Sequence, residues 1–431
     1  MKSLACNLSA LTFLFTTGHG TAEVIYSGLQ NTPIPLTYAG TYLDVDGVHL
    51  PAASPFTGWD INPFLGGAYL SNSAAFQPAR VGTDGMDTVI NFAGGATISA
   101  TGLHFATGSG GSLDHLGNGA LQFHDGQQGY LGFQLNGTNY GWMRVVFTDN
   151  TGLPVVKDWA YETTTGTGAA IATGNVLQSG STVTLDSSTR SFSIGTGSPI
   201  GGSNSVIKTG LNTVTIIGTN GYAGTTSVNA GTLLVNGSIT GAGAVTVVGG
   251  ATLGGTGSIA GPVTVDGILA PGASIPGESI QSLATGALTF RGGSTFAYEM
   301  DSGAAASVAG DLQQVFGDLT LSGTVTLSLT DVASTPQAFT VGTTLSLIHY
   351  ADNRNSGFFT YAGSTLTNGE VFTAGLNQWQ INYDAINGGL NFSTECTGGH
   401  FVTLTAVPEP GSWLALGCLI GSGALLRRRR R

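Results

Sequence analysis

Side chains able to do chemistry are few and scattered. Asp44-Val45-Asp46-Gly47 sets two carboxylates two residues apart ahead of a turn, an oxygen-rich spacing that suits a hard cation such as calcium. No EF-hand loop or further ligand follows, so the plainer reading is a solvated turn. Asp114-His115 and His124-Asp125 pair an imidazole with a carboxylate, as acid–base or metal chemistry would require. Histidines spread through a strand-rich stretch are more often surface or structural groups. Trp59, Tyr130, Tyr140, Trp142, Trp159 and Tyr161 are the candidate sugar-stacking rings; at strand spacing such rings more often fill a core. No Gly-x-Ser-x-Gly occurs, which removes the usual marker of a serine nucleophile. Gly195-Thr196-Gly197 and Gly255-Thr256-Gly257 lack both the spacing and the following helix of a dinucleotide loop. No catalytic residue, metal ligand set or cofactor is expected, and the chain reads as non-enzymatic.

The elements that would position these groups are strands. Residues 23–173 hold most of the aromatic and histidine content, in short β-like runs at 87–92, 97–105, 130–135, 140–147 and 155–163. Asn136-Gly137 between two of them is a hairpin signal. This stretch is expected to form an antiparallel β-sandwich-like domain. Residues 174–205 read as a transition or linker, with a Gly/Ser/Pro-rich break at 195–204.

From Val206 the pattern changes to short apolar/Thr runs punctuated by glycine, at Gly237, Gly243, Gly249, Gly255, Gly261 and Gly267. Short strands joined by tight corners predict a parallel β-solenoid over 206–285, with Val263 and Val265 inward and Thr264 outward. Some β-solenoids process polysaccharides and need clustered carboxylates for it. Between Val206 and Leu283 the only acids are Asp266 and Glu278, and the only base is Lys208. Residues 286–406 are expected to continue the strands and cap the stack.

Charged residues make up 9% of the 431, and glycine accounts for 69. Low charge with abundant Gly, Thr and Val suits tightly turning β structure. Removing Lys2 and the five terminal arginines from the 13 basic residues leaves 7 against 24 acidic ones, a balance that argues against nucleic acid as a partner. Cys396 is the one cysteine expected in the mature body, so no internal disulfide is expected there.

Both ends read as export signals. Residues 1–22 have a lysine at position 2, an apolar stretch and small residues at Gly20 and Ala22, the pattern of a secretory signal peptide cleaved between Ala22 and Glu23. Residues 407–431 run Val407-Pro408-Glu409-Pro410, then an apolar segment, then Arg427, Arg428, Arg429, Arg430 and Arg431. The two prolines break the chain after the body. Residues 410–426 carry no charge and reach the short end of the roughly 17–25 residues that span a bilayer. The arginine cluster acts as a stop-transfer block on the cytoplasmic side.

The order Pro-Glu-Pro, apolar helix, arginine cluster resembles the PEP-CTERM sorting signal of Gram-negative bacteria. That resemblance implies recognition by an exosortase, a membrane-embedded cysteine peptidase encoded alongside exopolysaccharide genes. Gly224-Thr225-Thr226-Ser227-Val228-Asn229-Ala230-Gly231-Thr232-Leu233 resembles the autotransporter-associated β-strand repeat. Gly58-Trp59-Asp60-Ile61-Asn62-Pro63, Gly129-Tyr130-Leu131-Gly132-Phe133, Asn139-Tyr140-Gly141-Trp142 and Trp159-Ala160-Tyr161-Glu162 resemble an N-terminal domain that recurs in PEP-CTERM proteins without an assigned chemistry.

The expectation is an all-β exported protein with a C-terminal transmembrane helix, anchored in the membrane before processing and then held at the cell surface or in an exopolysaccharide matrix. Its role would be structural or adhesive. Two alternatives stand beside it: an autotransporter-like adhesin passenger, and a β-helix protein that binds or modifies polysaccharide.

Overall fold

A computed structural model describes residues 23–47, 49–108, 115–149, 152–164, 169–197, 199–272, 280–304, 309–389 and 399–409. These residues form strands joined by turns, with almost no helix, and fall into two compact units divided between Thr232 and Leu233. No helix among the described residues is long and apolar enough to cross a membrane. The C-terminal span expected at 410–426 lies outside the described residues.

In the first unit, Asn136 and Gly137 both take positive φ (52° and 72°), the turn geometry that matches strand twist. They join Gln128–Leu135 to Asn139–Val146 in a continuous antiparallel register from Leu135↔Asn139 to Gln128↔Val146. Val155–Glu162 and Val24–Tyr26 extend the sheet on one side, Phe76–Arg80 and His104–Phe105 on the other. One eight-stranded antiparallel sheet therefore dominates, accompanied by two-stranded ribbons at Ile61–Phe64/Tyr69–Asn72 and Thr97–Ser99/Ala170–Ala172.

Phe76, Phe123, Leu131, Phe133, Met143 and Val145 form its core on one face. On the other face Trp142 is buried and donates from Nε1 to Asn175 Oδ1 at 3.0 Å. Both faces are covered, so successive residues of the central strands are buried instead of alternating between core and solvent.

The stretch read as a transition carries strands of the coil. Val176–Ser179 pairs antiparallel with Thr182–Asp186, which pairs in parallel with Ser205–Thr209, itself parallel to Thr226–Val228. Phe192–Ile194 runs parallel to Thr213–Ile216. Parallel coiling thus begins before Val206.

The antiparallel sheet grips this first coil through a buried network. Arg144 Nε donates to Asp158 Oδ1 at 2.8 Å, and Arg144 Nη2 donates to Asp158 Oδ2. Tyr26 Oη donates to Asp158 Oδ2 at 2.7 Å. Arg144 Nη2 also reaches Gln178 O at 3.1 Å, and Gln178 N donates to Tyr26 Oη at 3.0 Å. Burial and the adjacent Asp158 carboxylate push the Tyr26 hydroxyl pKa up.

Lys208 shows how the interior handles a charge. It shares the inward column Leu185·Lys208·Val228 and is fully buried. Its Nζ donates to Gly210 O, Asn212 O and Ala230 O at 2.6, 2.7 and 2.8 Å. Three carbonyls match the three hydrogens of an ammonium group, which answers the cost of burying it. Burial pushes its pKa down to about 8, against the opposing pull of Asp186.

The second unit repeats a coil with three sheet faces. Val245–Val247, Val263–Val265, Leu288–Phe290 and Leu319–Leu321 stack in parallel on one. Val245, Val263, Leu288 and Leu319 form one buried column, and Val247, Val265, Phe290 and Leu321 a second. Thr246, Thr264, Thr289 and Thr320 lie between them, half-exposed on the outside. Val263 and Val265 thus face inward, as their alternation with Thr264 predicts.

Glycine is required where successive corners touch. A Cβ on Gly257 would lie 1.8 Å from Gly237 O, and one on Gly255, at φ 116°, would lie 2.3 Å from Val235 O. Parallel pairing runs on past 285, to Leu319–Leu321 with Arg354–Asn355 and Val325–Asp331 with Phe359–Tyr361.

Antiparallel strands then close the stack. His400–Val407 lies between Thr344–Tyr350 and Asn377–Ala385, antiparallel to both, and Val371–Ala374 pairs outside Asn377–Ala385. Capping of this kind protects the exposed end of a solenoid.

Buried carboxyls give the fold a pH dependence. Burial raises Asp60 to about 6, Glu162 to about 7 and Asp311 to about 8. Each folded-state pKa lies above its unfolded value near 4, so the folded chain holds more protons in between. Stability is therefore fully present at low pH and is lost as pH rises through the folded pKa values. Thermal melts between about pH 5 and 8 should show the melting temperature falling as pH rises. Asp311→Asn should flatten that slope, and an unchanged slope would remove Asp311 as its source.

Candidate cation site and exposed rings

Asp44 and Asp46 are joined by a third carboxylate. The bridge Leu43↔Ile61 sets the segment before Gly47 against the start of strand Ile61–Phe64, which brings Asp60 opposite Asp44. One oxygen from each of Asp44, Asp46 and Asp60 lies within 4.8 Å of the others. Asp44 and Asp60 are buried and Asp46 is exposed.

Asp60 Oδ2 accepts from Val45 N at 2.7 Å, and Asn136 Nδ2 donates to Asp46 Oδ2 at 2.8 Å. His49 Nδ1 stands 2.7 Å from Asp44 Oδ2. A Cβ on Gly47 would lie 2.0 Å from the Asp44 carboxylate, so any larger residue there would displace that carboxylate. Burial, and then the charges of Asp46 and Asp44, raise the Asp60 pKa against the amide bond from Val45. The three acids are the residues able to hold a hard cation here; without one, they repel each other.

Sequence reasoning named Asp44 and Asp46 and missed Asp60, whose place depends on a strand contact between distant residues. The adjacent Trp59-Asp60 was read only as part of a domain resemblance.

The other candidates separate. His115 is buried and accepts from Val89 N through Nδ1 at 3.2 Å, a structural role, while Asp114 lies outside the described residues. His124 and Asp125 are exposed, and Asp125 Oδ1 accepts from Asp149 N at 3.3 Å. Of the six proposed stacking rings, Tyr130, Tyr140, Trp142 and Trp159 are buried, and Trp159 Nε1 is committed to Val45 O at 3.0 Å. These rings are core. Trp59 and Tyr161 are half-buried, and an exposed ring stands elsewhere: Tyr38, next to the half-buried Phe64 and Tyr69.

At the expected cleavage position, Glu23 Oε1 accepts from Gly197 N at 2.7 Å, and Glu23 bridges to Ser193. Ala22 lies outside the described residues. Val407 ends the last strand and Pro408 and Glu409 follow it, while Pro410 and the cluster Arg427, Arg428, Arg429, Arg430 and Arg431 lie outside. No protein-family model, curated protein or solved structure matches the chain.

Proposed function

We propose that this is an exported, non-enzymatic surface or biofilm-matrix protein, held in the membrane by a C-terminal helix until an exosortase-type peptidase processes it. Its body serves as a structural and adhesive spacer among exopolysaccharide. The N-terminal β domain, sandwich-like with its ribbons, carries the adhesive part of that role, and the coiled strands carry the structural part.

The observation that carries the reading is the stack itself. On one face its two inward columns are apolar and the row between them is threonine, and its last described strand stops at Val407, directly before Pro408-Glu409-Pro410. Such a body offers repeated, hydrogen-bonded strands and few reactive groups. The polysaccharide-modifying alternative needs an accessible carboxylate pair on the coil. Asp311, with a raised pKa, is instead buried and takes backbone amides from Gln281 and Glu299 at 2.9 and 3.3 Å.

The tail is tested by changing Pro408-Glu409-Pro410 to three alanines in the native host. The apolar span and arginines stay, so a plain anchor would not register the change, whereas a peptidase that reads the motif would leave unprocessed precursor in the inner membrane. Mass spectrometry of wild-type C-termini should find the arginine cluster missing. An intact arginine tail on most surface-exposed molecules would overturn the sorting reading.

A further inference from the structure

We infer that Tyr38, Phe64 and Tyr69 form a binding site for the sugar-ring faces of an uncharged polysaccharide. The inference rests on the matrix reading above and supplies its adhesive contact.

Phe64 and Tyr69 face each other across their strand pair. Their rings stack at a centroid distance of 5.3 Å with 13° between planes. Tyr38 continues the row, 6.3 Å from Phe64 and tilted by 39°, and is 80% exposed. A tyrosine that protrudes this far gains little for folding, and its ring offers an apolar face with a polar tip. Sugars present matching C–H faces bordered by hydroxyls.

The backbone that carries the row is tied together. Leu65 N donates to Thr37 O at 3.1 Å, Gly66 N to Pro35 O at 2.9 Å, and Thr41 N to Pro63 O at 3.1 Å. Leu65 and Gly66 take positive φ, 48° and 70°, a conformation that costs a leucine free energy and is found preferentially at binding sites. A backbone tied down before the ligand arrives has less freedom to lose on binding.

Charge chooses the ligand. No charged residue occurs in 34–43 or 61–79, the segments that carry the rings. An anionic polymer would find no countercharge there and would meet an acidic chain beyond it; an uncharged glycan meets neither obstacle.

The test uses the purified full-length chain in detergent micelles, by affinity electrophoresis through gels containing dextran, laminarin or galactomannan, with alginate as the acidic comparator. At least one neutral polymer should retard the wild type, and the shift should persist in about 1 M salt, where screening acts within about 3 Å. Tyr38→Ala should lose about three- to tenfold in affinity with an unchanged melting temperature, and Tyr38→Trp should retain binding. Retardation by alginate alone, by none of the polymers, or equally for Tyr38→Ala would overturn the inference. Each of those results leaves the tail-processing experiment untouched, so the two readings fail separately.

Discussion

Val265→Asp unfolds the parallel stack of the second unit, whereas Thr264→Asp, one residue away, leaves its melting temperature within a few degrees of wild type. Val265 is fully buried between Val247 and Phe290 in its column. A carboxylate there has no hydrogen-bond donor, and burying an unpaired charge costs several kcal/mol, or forces the group to stay protonated at similar expense. Against a total stability of about 5–15 kcal/mol, that loss removes most of the margin. Thr264 points outward, where substitutions change stability by about 0.5 kcal/mol or less. Circular dichroism melts of the two variants decide the matter. Equal destabilisation would show that the register of these strands is wrong.

Asp158→Ala should destabilise the first unit by about 3–5 kcal/mol, because Arg144 is left buried without its partner. Tyr26 loses its acceptor in the same step, so the contact with strand Val176–Ser179 loosens as well. The double variant Arg144→Met/Asp158→Leu should recover much of the loss, since an apolar pair of similar volume often replaces a buried ion pair at little cost. Urea unfolding followed by tryptophan fluorescence provides the measurement. A loss below about 1 kcal/mol for Asp158→Ala would show that the Gln178 carbonyl alone satisfies Arg144.

These two sites also mark what the sequence discloses. Val263-Thr264-Val265 states its own orientation, because alternation is a local property of a strand. Asn136-Gly137 likewise announces its turn, and the glycine spacing announces the corners. Strand Gln128–Leu135 conceals its orientation: both of its faces are covered, so Tyr130, Leu131 and Phe133 are all buried, and its ring packs in the core, the plainer of the two sequence readings. The start of the coil was hidden because Thr182–Asp186 looks like any half-buried strand until its parallel partner is known. Lys208 is legible in the sequence only as the one base of its stretch, and the convergence of three corner carbonyls reveals an interior position. Asp60 joins Asp44 and Asp46 through one strand bridge, which residue spacing along the chain does not encode. Tyr38, the most exposed of the large rings near Phe64, carries no sequence signal beyond its uncharged surroundings.

The position of strand His400–Val407 has a mechanical meaning. A load applied at Val407 along the strand acts on a segment hydrogen-bonded on both sides, to Thr344–Tyr350 and to Asn377–Ala385. Neither ladder can open one bond at a time from its end, as a peeled edge strand would. Both must slide together, with their hydrogen bonds stretched in parallel and the buried side chains of Phe401, Val402 and Leu404 dragged past their neighbours. A pull reaching the body through Val407 would therefore be carried in shear, with the bonds of both ladders loaded at once.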